Sequence, residues 1–138
     1  MSKFYLEIIT PEKKFYADKV EKLKLPTSAG ECLILANHQP MVFALEPGTL
    51  VLTKEGEAKE AFTSDGFVEI RPDAVVVFSQ AVEWPEDIDE RRAREAQERA
   101  QEQLRSLRSE AEFQLNKRAM QRAFARLKVK KGGQFFRQ

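Results

Sequence analysis

Apolar residues in the first 84 positions come in short runs, separated by clusters of turn-forming residues. The runs fall at 4–9, 20–25, 32–35, 41–45, 50–53, 58–63, 67–70 and 74–79. Some alternate with polar residues: within 20–25, Glu21, Leu23 and Leu25 stand against Val20, Lys22 and Lys24. Between the runs lie Thr10-Pro11-Glu12, the stretch from Pro26 to Gly30, Pro47-Gly48, Lys54-Glu55-Gly56, Asp65-Gly66 and Arg71-Pro72-Asp73. Short β-prone segments punctuated this closely predict an antiparallel sandwich or barrel. No internal repeat or low-complexity tract interrupts the pattern.

At Trp84-Pro85 the pattern changes. The remaining residues contain no proline and are rich in Arg, Ala, Glu and Gln. Pro85 suits the first turn of a helix, because the donor it lacks would be unpaired there anyway. Asp87 followed by Glu90 resembles a capping box with Asp in place of Ser or Thr. A first helix is expected over about 86–105 and a second over about 110–128, with the turn at Ser106 to Ser109 and Ser109 as a cap. Gly132-Gly133 should end regular structure. Ala93, Ala96 and Ala100 recur at helical spacing, as do Ala111, Ala119 and Ala123, and Ile88, Leu104, Leu115, Phe124 and Leu127 extend the stripes. Alanine seams let two helices approach closely, so the expected fold is an N-terminal antiparallel β-sandwich (1–84) followed by a C-terminal antiparallel two-helix hairpin (85–138). A stripe so narrow buries little apolar area per turn, which predicts a marginally held, mobile hairpin.

Charge divides at the same seam. Residues 1–86 carry nine Lys/Arg against fourteen Asp/Glu, and residues 87–138 carry fourteen against eight, so a net charge of +1 conceals an acidic head and a basic tail. The tail is therefore expected to meet something anionic. The single cysteine, Cys32, excludes an intrachain disulfide and a Cys-rich zinc site. The N-terminus has no signal-peptide core and no apolar run approaches the roughly 18 residues of a membrane span, so a soluble chain is expected, with any membrane association through partners. His38, the only histidine, has no catalytic neighbours in a recognisable pattern, and no Gly-rich phosphate loop or metal-ligand spacing is present. An active site is not expected.

The arginines offer more. Arg92 and Arg99 share a helical face, Asp89 precedes Arg92 by one turn, and Arg122 and Arg126 are one turn apart on the second helix. If the hairpin turns near Arg108, Arg92, Arg122 and Arg126 converge at its open end beside the sandwich. Gathered guanidinium groups repel one another unless an anion lies among them, and they suit bidentate phosphate recognition. A solvated basic face remains the alternative.

The order and spacing of several motifs resemble the ε subunit of bacterial F-type ATP synthase over the chain up to about Lys130. In the head these are Leu25-Pro26-Thr27 through Gly30-Glu31, Asn37-His38-Gln39-Pro40, Pro47-Gly48-Thr49-Leu50, Gly66-Phe67-Val68-Glu69-Ile70 and Ala81-Val82-Glu83. In the tail, Ile88-Asp89-Glu90-Arg91-Arg92-Ala93 is similar to the family's Ile/Leu-Asp-x-x-Arg-Ala motif. The chain departs from the family at Cys32-Leu33, Ala36, the Trp84-Pro85 junction and the tip from Lys130 to Gln138.

The resemblance implies a non-catalytic sandwich head, seated at the foot of the central stalk against the γ subunit and the c-subunit ring. It implies contact through Glu31 and His38, and peripheral attachment to the cytoplasmic face of the bacterial cell membrane through the complex. It also implies a hairpin that switches between a compact form and an extended form, the latter reaching an acidic segment of the catalytic β subunit, within the α/β assembly, and impeding ATP hydrolysis. No cofactor is required. In some bacterial members ATP binds the compact hairpin as a regulatory ligand, and the positions that correspond here are Glu83, Ile88, Asp89, Arg92, Ala93, Arg99, Arg122 and Arg126. Phosphate contacts would come from the four arginines, with Asp89 and Glu83 holding the base, the ribose or a neighbouring arginine. The competing expectations are a member that inhibits without sensing ATP, a ligand-free helical-hairpin adaptor, and a nucleic-acid module. The last is disfavoured by Glu90, Glu95, Glu98 and Glu102, which interrupt the basic surface.

Overall fold

The computed structural model describes residues 2–105 and 109–132. Ten strands come first: β1 (Phe4–Ile9), β2 (Lys14–Val20), β3 (Lys22–Thr27), β4 (Gly30–Leu35), β5 (Met41–Leu45), β6 (Gly48–Lys54), β7 (Glu57–Thr63), β8 (Gly66–Ile70), β9 (Ala74–Ser79) and β10 (Val82–Glu83). They form two five-stranded sheets, ordered β2-β1-β9-β8-β5 and β10-β7-β6-β3-β4. Among these pairings only β1 with β9 is parallel. One apolar cluster fills the space between the sheets, and Leu6, Ile8, Val20, Leu23, Leu25, Ile34, Leu50, Leu52, Val68 and Val77 in it are fully buried.

The single run expected over 20–25 is a junction between two strands. β2 belongs to one sheet and β3 to the other, and the chain steps across at Glu21, whose N–H donates to the Thr53 carbonyl at 2.8 Å. That step resets the alternation, so Val20 and Leu23, which strict alternation places on opposite faces, both point into the core. The lysine-flanked β2 gave no strand signal because it is an edge strand, where charge guards the open backbone. In β7 the alternation fails for another reason. Ala61, Phe62 and Thr63 are all buried, since one face meets the core and the other is covered by the second helix.

Trp84 at the seam is clamped to the sandwich. Its ring lies 4.8 Å from that of Phe15 and 6.4 Å from that of Tyr16, with Lys59 Nζ 5.0 Å from its centroid. A 3₁₀ turn follows at Pro85–Asp87, then α1 (Glu90–Leu104) and α2 (Glu110–Gly132). The first helix thus begins four residues later than expected. Its N-cap is Asp89, whose Oδ1 accepts from the Arg92 N–H at 3.0 Å, and Asp87 lies in the 3₁₀ turn instead. Ser109 Oγ accepts from the Glu112 N–H at 3.2 Å and so caps α2; residues 106–108 of the expected turn lie outside the described residues. α2 continues past 128 to Gly132, and Val129 in the added turn is 1% exposed against the sandwich. Of the tip beyond Lys130, residues 133–138 lie outside the described residues.

The hairpin seam buries Ala93 and Ala100 of α1 with Ala123 of α2, while Ala125 and Val129 join Ile88 and Phe62 in a small cluster on the outer face of β7. Periodicity also placed Leu115 and Phe124 on the apolar stripe, yet they are 70% and 58% exposed. Their side chains lie on neither the seam nor the sandwich-facing side of α2, which meets its neighbours through Ala123, Ala125 and Val129.

Candidate functional site

Between the start of α1, the end of α2 and β10 lies a cleft of about 420 Å³, a size that suits a small-molecule ligand. Its walls include Glu83, Asp89, Arg92, Ala93, Arg99 and Arg126, six of the eight positions singled out from the sequence. Each comes from a different local cause. Glu83 is the last residue of β10, paired with Phe62 of β7, so the sandwich itself supplies one carboxylate. Asp89 is fixed by its capping bond to Arg92, and Arg92 and Arg99 lie two turns apart on one face of α1. Arg126 reaches in from α2, which shows that the hairpin is antiparallel.

Arg126 is the best-held cation. Its Nε donates to Glu83 Oε1 at 2.5 Å, and its guanidinium lies over the Phe62 ring at 4.3 Å from the centroid. Charge-assisted hydrogen bonding and cation–π contact together hold it between sheet and helix. By contrast, the Arg92 and Arg99 side chains make no hydrogen bond or ion pair to any described residue and are exposed. The cleft is therefore bipolar. Two uncommitted guanidinium groups lie along α1, facing a Glu83–Arg126 pair and the carboxylates of Asp87 and Asp89. Such a site can take a ligand that has phosphates at one end and hydrogen-bond donors at the other.

Two predicted positions lie elsewhere. Ile88 is 4% exposed in the cluster with Phe62, Ala125 and Val129, where it plugs the hairpin onto the sandwich. Arg122 points toward the turn between β7 and β8, with Nη1 3.8 Å from Asp65 Oδ1. Among the described residues, no cluster of His, Cys, Asp and Glu suits a metal ion.

Sequence reasoning missed Asp87, Phe62 and Asp65. The Asp87–Glu90 spacing points to a helix cap, which hides the place of Asp87 on the cleft wall. The unbroken Ala61-Phe62-Thr63 burial was signalled only by a run that fails to alternate. Asp65, beside Gly66, read as an ordinary turn.

Glu31 and His38 lie far from this cleft along the sheet order. Glu31 is on edge strand β4, its side chain 71% exposed and 3.3 Å from Lys24 Nζ. His38 is in the β4–β5 connection after Asn37, which has a positive φ of 66°, and its Nδ1 lies 2.9 Å from the Gln39 carbonyl. Leu33 and Val42, on the edge strands β4 and β5 of the two sheets, are 52% and 65% exposed, and β4 closes its sheet at the end away from β7, on which α2 packs.

Two family models divide the chain at its seam. The ATP synthase delta/epsilon chain β-sandwich domain matches residues 3–85, and the long α-helix domain of the same chain matches residues 86–131. The chain belongs to the ATP synthase delta/epsilon family. Relatives within this family include the ATP synthase epsilon chain of Caldanaerobacter subterraneus subsp. tengcongensis, 45% identical over 91% of this chain and 92% of that one. Another, from Ruminiclostridium cellulolyticum, is 40% identical over 92% of this chain and 95% of that one. The fold is also that of a chain in the Euglena gracilis mitochondrial ATP synthase structure of OSCP, F1 and c-ring, with a TM-score of 0.78 at 23% identity, covering 91% of this chain and 79% of the other. The family's epsilon chains are thus matched across both the sandwich and the helices. No described helix is long and apolar enough to cross a membrane.

Proposed function

We propose that this epsilon-type chain is a non-catalytic regulatory subunit of the central stalk, and that its hairpin binds ATP in the compact form and restrains ATP hydrolysis when extended. The observation that carries the ATP reading is the bipolar cleft. It gathers Glu83, Asp89, Arg92, Arg99 and Arg126, and it leaves two arginines without a partner among the described residues. Arg92 and Arg99 take the phosphates, while Glu83, Asp87 and Asp89 accept from the base and ribose. Because Arg126 and Glu83 come from opposite sides of the cleft, the site exists only while the hairpin is closed.

A ligand that binds only the closed state stabilises it by RT ln(1 + [L]/Kd), about 2.7 kcal/mol at a hundredfold excess over Kd. An alanine-seamed hairpin is held weakly enough for that amount to decide its state. Exposed Leu33 and Val42, with Glu31 and His38, are the residues we assign to contact with the γ subunit and the c-ring. The basic α2 face is assigned to an acidic segment of the catalytic β subunit. Membrane attachment is then peripheral and through the complex.

Calorimetric titration of the full chain with ATP and ADP tests the reading. One-to-one saturable binding that favours ATP is expected, weakened at least tenfold by Arg92→Ala, about 1.4 kcal/mol. Arg92 is exposed and packs into no core, so this variant should fold normally. No binding at millimolar ATP would instead identify a member that regulates without sensing nucleotide, and unchanged affinity in Arg92→Ala would remove that residue from the site.

A further inference from the structure

The proposed cleft accounts for Arg126, yet Arg118 and Arg122 of α2 turn to a different carboxylate. Arg118 Nη1 lies 3.6 Å from Asp65 Oδ2, and Arg122 Nη1 lies 3.8 Å from Asp65 Oδ1. Asp65 is in the two-residue connection between β7 and β8, where the chain passes from one sheet to the other. That corner is built rigidly. Ser64 Oγ donates to Asp65 Oδ1 at 2.9 Å, and the Gln80 N–H donates to the Asp65 carbonyl at 3.1 Å. Beneath it, Thr63 Oγ1 donates to Ser79 Oγ at 3.1 Å, and Ser79 Oγ in turn donates to the Ala81 carbonyl at 2.9 Å. Thr63, Ser64 and Ser79 are buried. Next to Asp65, Gly66 is so close to the Phe78 carbonyl that any side chain there would collide with it. The corner thus presents one acceptor in a fixed place, and two guanidinium groups one turn apart on α2 meet its two oxygens.

We propose that Asp65 is an intramolecular latch: it occupies Arg118 and Arg122 while the hairpin is closed and competes for them with an acidic protein partner. The inference rests on the reading that the hairpin opens onto such a partner. α2 then exchanges one acidic acceptor for another when it moves, so both arginines keep an ion-pair partner in each state. The single Asp65 carboxylate offsets only one of their two charges and leaves the pair attractive to a more acidic partner. The latch also sets the order of events. A partner segment gains the Arg118 and Arg122 side chains only after Asp65 gives them up, and nucleotide in the cleft acts on the same closed state through other residues.

Hydrogen exchange on the full chain, without nucleotide, tests the latch. Exposed ion pairs are individually weak, so Asp65→Asn is expected to speed exchange of α2 amides about threefold and leave strand amides unchanged. The paired change Arg118→Gln with Arg122→Gln should match it, and adding Asp65→Asn to that pair should have no further effect. Glu12→Gln, on an exposed turn residue, serves as the control. Should Asp65→Asn loosen the strands at its corner, the arginine pair, which leaves the sandwich untouched, decides. α2 exchange equal to wild type in that pair overturns the latch. In a second measurement a synthetic Asp/Glu-rich peptide is titrated into each form. About threefold tighter binding to Asp65→Asn supports competition, and equal binding overturns it. Since ATP is absent throughout, failure of the nucleotide reading would leave these results standing, and the separate ATP titration distinguishes the two.

Discussion

The sandwich and the hairpin are closed by different side chains. Between the sheets lie Leu6, Ile8, Leu23, Leu25, Leu50 and Leu52, none of them exposed at all, in one cluster that draws on both sheets. The hairpin seam is closed by Ala93, Ala100 and Ala123, and its contact with the sandwich by Ile88, Phe62, Ala125 and Val129. Apolar burial scales with area, at about 25 cal/mol per Å². A leucine core therefore holds its domain far more firmly than an alanine seam holds a helix pair. The difference places the hairpin at the low end of local stability, where ligands and partners can shift it, while the head stays rigid. Polar contacts then matter more for the hairpin. Glu83 with Arg126 and Asp65 with Arg118 and Arg122 bind helix to head, and Lys130 Nζ donates to the carbonyl of Pro85, in the turn that leaves the head, at 3.0 Å.

The comparison is broken most forcefully from inside the head. Leu50→Ala should cost about 2–5 kcal/mol, seen as a lower denaturation midpoint for the whole domain. If only the helices responded, the two parts would not differ as described. Ile88→Ala is expected to act the other way. A loss of about 2 kcal/mol there would shift hairpin docking roughly 30-fold and speed exchange in α2, with the denaturation midpoint of the strands unchanged.

A smaller effect separates the parts by pH. Glu60 of β7 is half-buried where α2 ends, and a methyl group on Gly132 would collide with its carboxylate. Burial raises the Glu60 pKa above the usual carboxylate value, partly offset by Lys24 and Lys128. The docked state thus holds the proton more tightly than the undocked one. Docking is favoured by this group below the ordinary carboxylate pKa, and that contribution is lost as pH rises through the raised value. Energy transfer between dyes on the sandwich and on α2 should report more docking at the acid end, and Glu60→Gln should flatten that profile. The smallest change expected is Lys59→Met, which removes the cation over Trp84. It should lower head stability by about 0.5 kcal/mol and leave the hairpin as it was.

Much of this was legible in the sequence because strand periods, turn residues and the change of character at Trp84-Pro85 are local signals. The two-layer head and the helix pair follow from them, as does the placement of Arg92, Arg99 and Asp89 near one another on α1. What could not be read depends on contacts between distant segments. The step at Glu21 is set by which sheet each strand joins. The start of α1 was misplaced because Asp87 and Asp89 are both plausible caps, and only the 3₁₀ turn against Trp84 decides between them. The spacing of Arg122 to Arg126 puts both on one face of α2, but the step of one turn, about 6 Å along the axis, sets Arg122 beside Asp65 while Arg126 meets Glu83. Helical spacing fixes faces, and the neighbour on each face comes from the tertiary fold.

Hydrogen exchange of the full chain with and without millimolar ATP tests most directly whether the hairpin is the weakly held, nucleotide-responsive part. Slower exchange in α1 and in the docked half of α2, with strand amides unchanged, is the predicted result. Helix amides indifferent to ATP, or protection spread evenly over head and hairpin, would contradict it.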